Sequence, residues 1–98
     1  MTRLRLSAAA RRDLADIRRY SIREFGVEIA DAYTRGFKKS FGLLREQPFA
    51  GAVEPGLRQE VRAFTYKRHR IFYRIEGQVV EIVRVLHHAR DAQAILNA

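Results

Sequence analysis

Two adjacent histidines, His87 and His88, end the last apolar run of this chain, and Arg62, Lys67, Arg70 and Arg84 lie in the stretch before them. Imidazoles exchange protons near neutral pH, while guanidinium and ammonium groups bind phosphate. Together they fit one reaction that needs no cofactor, the cleavage of RNA by its own 2′-hydroxyl. That reaction takes a base for the hydroxyl proton, an acid for the leaving 5′-oxygen, and cations for the charge on the crowded phosphorus. His87 or His88 would move the protons, with Arg62, Lys67, Arg70 and Arg84 as phosphate ligands and Arg90 extending the basic run. The plainer reading of each cation is a solvated or cross-strand side chain. Arg84 stands apart: set between Val83 and Val85, its guanidinium must find an acceptor or open onto a site.

Other chemistry has no footing in the sequence. It holds no phosphate-cradling glycine loop, helical His-Glu zinc motif, serine nucleophile elbow or dinucleotide fingerprint. No cofactor is expected. Adjacent histidines at a strand end are expected to point apart, and no carboxylate sits at ligand spacing beside them, so no metal is expected either. The chain has no cysteine, which excludes disulfides and thiolate chemistry. His69 reads as a hydrogen-bonded structural histidine.

These residues have to be positioned by short elements that the periodicities outline. Arg3-Leu4-Arg5-Leu6 alternates like a half-buried strand, and Ser7 suits an N-cap. From Ala8 to about Phe25, Ala10, Leu14, Ile17, Ser21 and Phe25 form a helical stripe, with Arg12, Asp16, Arg19 and Arg23 on another face. The basic stripe reads as solvated surface. Gly26 is expected to stop this helix in the left-handed conformation. A second helical stripe of Ile29, Tyr33, Phe37, Phe41 and Leu44 follows at once, so a helical hairpin is predicted. Gly36 and Gly42 inside it mark either close backbone packing or an imperfect helix.

Pro48 closes the second helix, and Phe49 to Gln59 reads as an exposed loop. Three strands then form an antiparallel meander, Glu60 to Tyr66, Arg68 to Glu76 and Gln78 to Leu86. A Gly77-Gln78 turn would pair Ile75 with Val80, Arg74 with Glu81, Tyr73 with Ile82 and Ile71 with Arg84. That register puts Ile71, Tyr73, Ile75, Val80, Ile82 and Leu86 under the helices. The opposite face, Phe72, Val79, Val83 and Val85, is apolar enough to need a cover. Asp91 caps a short last helix or tail.

Ninety-eight residues without a composition break imply one α+β domain, and 47% hydrophobic with 31% charged residues is too apolar for disorder and too charged for a membrane protein. The start of the chain lacks the apolar core of a secretory signal, so a cytoplasmic location is expected and no membrane partner. The formal net charge of +8 favours a polyanionic partner, either nucleic acid or an acidic protein.

Several strings resemble the ParE branch of the RelE/ParE toxin superfamily. They are Arg5-Leu6-Ser7-Ala8-Ala9-Ala10, Asp13-Leu14-Ala15-Asp16-Ile17, Pro55-Gly56-Leu57-Arg58, Arg68-His69-Arg70-Ile71-Phe72-Tyr73-Arg74 and Val80-Glu81-Ile82-Val83-Arg84-Val85-Leu86-His87, the last two being the specific ones. The resemblance spans nearly the whole chain. It implies a helical hairpin packed on a small, mostly antiparallel sheet, in the order β-α-α-β-β-β with a short C-terminal helix or tail. It also implies the toxin of a type II toxin–antitoxin system, a protein inhibitor of DNA gyrase neutralised by a ParD-like antitoxin that wraps the helices and sheet. On that basis antitoxin contacts are expected at Leu14, Arg18, Tyr20, Tyr33, Phe37 and Phe72, and target contacts at Arg62, Lys67, Arg70, Arg84, His87, His88 and Arg90. The superfamily also holds RelE-like, ribosome-dependent mRNA endonucleases. For that activity Arg62, Arg84, His87 and His88 would be catalytic, although the tyrosine near the end of those enzymes is absent here. A third alternative is a non-toxic module that only binds its antitoxin. The first helix has Arg18-Arg19 before Tyr20 where the ParE-like pattern commonly has an aromatic, which bears on the choice of antitoxin.

Overall fold

The alternation at the start of the chain forms the strand β1 (Arg3–Leu6), and Ser7 turns it into the helix α1 (Ala8–Phe25) in a computed structural model that describes residues 2–98. The Ser7 hydroxyl accepts from the Ala10 amide at 3.0 Å and donates to the Val83 carbonyl at 2.8 Å. One side chain thus caps the helix and fastens it to the sheet. Gly26 alone separates α1 from α2 (Val27–Glu46), capping the end of one and the start of the other. Its φ of 91° and ψ of 167° lie outside the left-handed helical basin that the sequence suggested. A one-residue reversal between two helices demands this extended, positive-φ geometry, which a side chain would strain.

Helix α2 buries Ala30, Phe37, Ser40, Phe41 and Leu44. Two residues expected on the core stripes are instead more than half exposed, Phe25 at 59% and Ile29 at 55%. They sit at the tip of the hairpin, which the sheet does not cover. Gly36 is explained from within: a Cβ there would lie 1.7 Å from the Tyr66 hydroxyl and 2.2 Å from its Cζ. A neighbouring side chain, rather than another backbone, claims that space. Gly42 has no such neighbour within 4 Å.

The sheet contains β2 (Ala52–Val53), β3 (Arg62–Tyr66), β4 (His69–Glu76) and β5 (Val79–His87), in the order β1-β5-β4-β3-β2. Strand β1 runs parallel to β5, and the other pairs are antiparallel. The expected loop between Phe49 and Gln59 therefore carries an edge strand. Gly77, at φ 57°, makes the β4–β5 turn, and Ile75, Arg74 and Tyr73 pair with Val80, Glu81 and Ile82 as the turn dictates. Glu81 accepts from Arg74 at 3.0 Å and from Arg5 at 3.1 Å. Burial alone would raise its pKa, but these two arginines reverse the effect and hold the carboxyl below its ordinary range.

Beyond Tyr73 the expected register fails, because a β-bulge shifts the pairing between Phe72 and Tyr73. Phe72 pairs with Arg84 and Ile71 with Val85, not Ile71 with Arg84. A bulge puts one extra residue, Val83, into β5 and reverses the faces that follow. Val85 therefore joins the core under the helices, with Ile71, Tyr73, Val80, Ile82, Phe37, Phe41 and Leu44. Leu86 crosses to the far face with Phe72 and Val61. The cover that this face needed comes from the chain itself, a short helix α3 (Ala92–Leu96) capped by Asp91. Ala92 completes the second cluster, with Ile95 and Leu96 packed against it. Asn97 ties the tail down, donating to the Gly56 carbonyl at 2.9 Å and accepting from the Arg58 amide at 3.0 Å.

Tyr73 is fully buried in the main core, and its hydroxyl donates to the Pro48 carbonyl and accepts from the Gly51 amide, at 2.7 and 2.8 Å. A buried tyrosine contributes about 2–3 kcal/mol of apolar transfer when its hydroxyl is satisfied in this way. No helix among the described residues is long and apolar enough to cross a membrane.

Candidate functional site

A groove of about 800 Å³ runs between the helical hairpin and the ends of β4 and β5. Ile17, Tyr20 and Phe25 of α1 and Ile29 and Tyr33 of α2 form one wall; Lys67, Arg68, His69, His87 and Arg90 line the other. The hairpin wall is apolar toward its tip, which lacks a sheet beneath it; at its other end Asp13 and Asp16 also line the groove, held by Arg84 and Arg19. The opposite wall is basic because the β3–β4 turn and the end of β5 bring their cations to one corner. Tyr20, Phe25 and Ile29 are each more than half exposed, at 53%, 59% and 55%. Arg18 donates to Asp31 at 2.6 Å and clasps the two helices together.

Histidines gather at the basic end. The rings of His87 and His88 are 4.4 Å apart between centroids, and His69 lies 5.5 Å from His87. The expected divergence of the neighbouring rings is thus wrong, since the chain leaves the strand after His87 and folds the second ring over the first. His87 and His88 are exposed. His69 is packed on Phe37 and Tyr33, with its Nδ1 2.7 Å from the Tyr33 hydroxyl. Burial, then the nearby His87 and His88, push its pKa down to about 4. It is a neutral, hydrogen-bonded histidine at physiological pH, as the sequence suggested. No group of three histidine, aspartate or glutamate side chains among the described residues is arranged to hold a metal ion.

Lys67 is the one described non-glycine residue with a positive φ, 52°. The tight β3–β4 turn imposes it, and the ammonium is left about 6 Å above the rings of Tyr33 and Tyr66, at 5.9 and 5.8 Å.

The remaining expected phosphate ligands are elsewhere and already engaged. Arg84 donates from Nε and an Nη to the two oxygens of Asp13, at 2.8 and 2.9 Å, and Asp13 also accepts from the Val85 amide at 2.9 Å. Its acceptor is therefore internal, which resolves the question its sequence position posed. Arg62 donates to the Gly51 carbonyl at 2.7 Å and stacks over Phe49 at 4.8 Å. Arg70 makes a two-pronged contact with Glu54, at 3.2 and 2.5 Å, and covers Phe72 at 4.9 Å. Arg62 pairs with Tyr73 and shares its face, whereas Arg70 shares the face of Phe72, so the two arginines leave the sheet on opposite faces. The structure brings Lys67, His87 and Arg90 together on the groove, with His88 stacked on His87, and does not bring Arg62, Arg70 or Arg84 to them.

Of the expected antitoxin contacts, Tyr20 and Tyr33 line the groove, whereas Arg18 is outside its lining and is paired with Asp31. Leu14 packs against the main core. Phe37 and Phe72 are 2% and 0% exposed, each inside one of the two cores, and present no surface to a partner. An aromatic at helical or strand period is first of all a core residue, and these two are. The sequence reading missed Phe25, Ile29 and Arg68. It assigned the first two to core stripes because periodicity does not reveal where a hairpin outruns its sheet.

A family model described as the ParE toxin of the type II toxin–antitoxin system parDE matches residues 4–92. Toxin ParE1 of Caulobacter vibrioides is 40% identical over 92 residues, covering 94% of this chain and 95% of that protein. Toxin ParE1 of Mycobacterium tuberculosis is 30% identical over 91 residues, covering 92% and 93%. Among solved structures, the chromosomal ParDE system from P. aeruginosa superposes with a TM-score of 0.77 at 22% identity, covering 89% of this chain and 96% of that one, a likeness of fold. The toxin–antitoxin complex RelBE2 from Mycobacterium tuberculosis gives 0.59 at 27% identity, covering 88% and 96%.

Proposed function

Given that this chain belongs to the ParE family and is the toxin of a type II toxin–antitoxin system, we propose that it inhibits DNA gyrase, and that a ParD-like antitoxin silences it by seating an acidic, apolar-faced segment in the hairpin groove. The observation that carries the antitoxin half is the groove's two-sided chemistry. Tyr20, Phe25 and Ile29 offer an unburied apolar wall, while Lys67, Arg68 and Arg90 face them across it. An amphipathic segment with apolar residues on one side and carboxylates on the other satisfies both walls at once. Disorder in the free antitoxin would be removed on binding, at the cost of ordering entropy.

For gyrase inhibition over RNA cleavage, the support is the dispersal of the cations. RNA cleavage concentrates positive charge on one scissile phosphate. Here Arg84 is committed to Asp13, and Arg62 and Arg70 stand on opposite faces of the sheet. On this reading the toxin turns over no substrate, and its effect comes from occupying its target.

The endonuclease reading keeps one specific foothold. His87 and His88 are exposed at the groove end beside Lys67, Arg68 and Arg90, a set with both proton-transfer groups and phosphate ligands. One experiment tests both readings. Purified toxin is added to a gyrase supercoiling assay and to a translating ribosome assay scored for mRNA cleavage, each with and without the cognate antitoxin. Lost supercoiling with intact mRNA, restored by antitoxin, is the expected result. Cleaved mRNA with gyrase untouched would overturn it.

A further inference from the structure

The basic side chains of the two helices are not equally engaged: Arg12 of α1 is exposed and unpaired among the described residues, and Arg11 donates only to the Leu6 carbonyl. On α1, Arg18, Arg19 and Arg23 each meet a carboxylate, of Asp31, Asp16 and Glu24. The outer face of α2 differs. Arg35, Lys38, Lys39 and Arg45 are all exposed, and none makes an ion pair or side-chain hydrogen bond among the described residues. At 3.6 residues per turn these four fall within an arc of about 120° and extend along about 15 Å of helix. Gly42 lies in the middle of that arc. A helix-interior glycine weakens its helix, and here nothing within 4 Å inside the protein requires it. The bare backbone leaves the centre of the stripe open to close approach from outside.

We propose that this face of α2 docks on the sugar-phosphate backbone of duplex DNA, without reading its sequence. A protein partner would need an apolar anchor at the centre of the patch, and the centre here is Gly42. Single-stranded nucleic acid would call for exposed aromatic rings to stack on, and the arc has none. Four free cations around a bare helix surface suit phosphates, whose recognition requires charge and close approach only. Acids bound the stripe at both ends, Glu46 one turn beyond Gly42 and Asp31, held by Arg18, one turn before Arg35. The groove residues of α2, Ile29 and Tyr33, belong to its first two turns, so the stripe and the groove are separate surfaces. The proposal rests on the gyrase reading only for its purpose, since a DNA-bound target would be held partly through its DNA. Binding itself is measured without gyrase, so the two readings fail separately.

The test is fluorescence anisotropy of a labelled 20-base-pair duplex of arbitrary sequence titrated with the purified full chain from 50 to 200 mM NaCl. Binding is expected to weaken steeply with salt. Lys38→Gln with Lys39→Gln should reduce the slope of log K against log salt by about 2. Gly42→Glu should weaken binding by about tenfold or more while raising the thermal midpoint, because glutamate is the better helix former. Arg19→Gln, which removes a paired arginine, should leave the slope unchanged. Absence of salt-dependent binding, or binding that both α2 variants leave intact, would overturn the proposal. So would tighter binding of polyglutamate than of DNA with the same dependence on Lys38 and Lys39, which would make the stripe a contact for an acidic protein.

Discussion

Asp13 and Arg84, on α1 and β5, meet through two parallel hydrogen bonds of 2.8 and 2.9 Å, and the same carboxylate takes the Val85 amide at 2.9 Å. Strand β1 ends at Leu6 opposite Ile82, so β5 has no strand neighbour on that side beyond the bulge. Asp13 stands in for the missing neighbour. Truncating it leaves a part-buried guanidinium and a strand amide both without their acceptor. Asp13→Ala is expected to destabilise the fold by about 2–3 kcal/mol in urea denaturation. Arg84→Met should cost less, because the carboxylate keeps the Val85 amide and the new side chain suits its apolar neighbours. Near-equal stability of Asp13→Ala and the parent would show that the pair anchors nothing.

Stability should also depend on the ionisation of His69. Its folded pKa, about 4, lies below the ordinary 6.5 because the ring is partly buried beside His87 and His88. Between those values the unfolded chain binds a proton that the folded chain refuses. Stability therefore falls as pH drops from about 6.5 to about 4, and this group adds no further dependence outside that window. The ring is part-solvated, so the loss is about 1–2 kcal/mol, below the full linkage value. His69→Asn should flatten the profile in that window, read from urea midpoints at pH 4.5 and 7. A profile of unchanged slope would assign the dependence to other groups.

The two interior glycines of α2 should respond with opposite signs. At Gly36 a methyl group would collide with the Tyr66 ring, which is packed on Phe37 and Tyr33 and donates to the Tyr33 carbonyl at 3.2 Å. Gly36→Ala is expected to lose about 1–2 kcal/mol net, since displacing a packed ring outweighs the gain in helix propensity. Gly42→Ala meets nothing and should gain about 0.5–1 kcal/mol. Calorimetric Tm values that moved in the same direction would refute the contrast.

Sequence periodicity made the elements legible where one rule acted alone. Ser7 capped its helix, Gly77 set the pairs of the last hairpin from Ile75–Val80 to Tyr73–Ile82, and the meander followed from its β-branched runs. The reading failed where a tertiary contact competed with a local pattern. The bulge at Val83 is invisible in an unbroken Val-Val-Glu-Ile-Val-Arg-Val run, and it decides which of Val85 and Leu86 faces the helices. A clue was present in Asp13, an acid three residues after Ala10 and four before Ile17, on the inward side of α1. Such an acid requires a cation across the interface, and Arg84 was the unplaced one. The groove was only half legible, because exposure of Phe25 and Ile29 depends on where the sheet stops.

That exposure supplies the test of the groove. Ile29→Asp should leave the fold intact, because its side chain lies outside both cores. It places a carboxylate on the apolar wall, and should weaken binding of the cognate antitoxin by about 30-fold or more, equivalent to about 2 kcal/mol at an interface anchor. Isothermal titration calorimetry reads the change directly. Unaltered affinity would move the antitoxin off this groove.

The tail after β5 is a poor place to test target contact by deletion. Removing residues beyond His88 takes away Ala92, Ile95 and Leu96, which cover Phe72, Val61 and Leu86. It also removes Asn97, which secures the loop at Gly56 and Arg58. A chain ending at His88 is expected to lose about 3 kcal/mol or more and to expose an apolar face prone to association. Loss of toxicity on deletion would then report unfolding. Arg90→Gln and His88→Ala change exposed side chains and leave α3 in place. If this corner touches the target, both variants should keep the parental urea midpoint and lose supercoiling inhibition; full inhibition by the double variant would place the contact elsewhere on the surface.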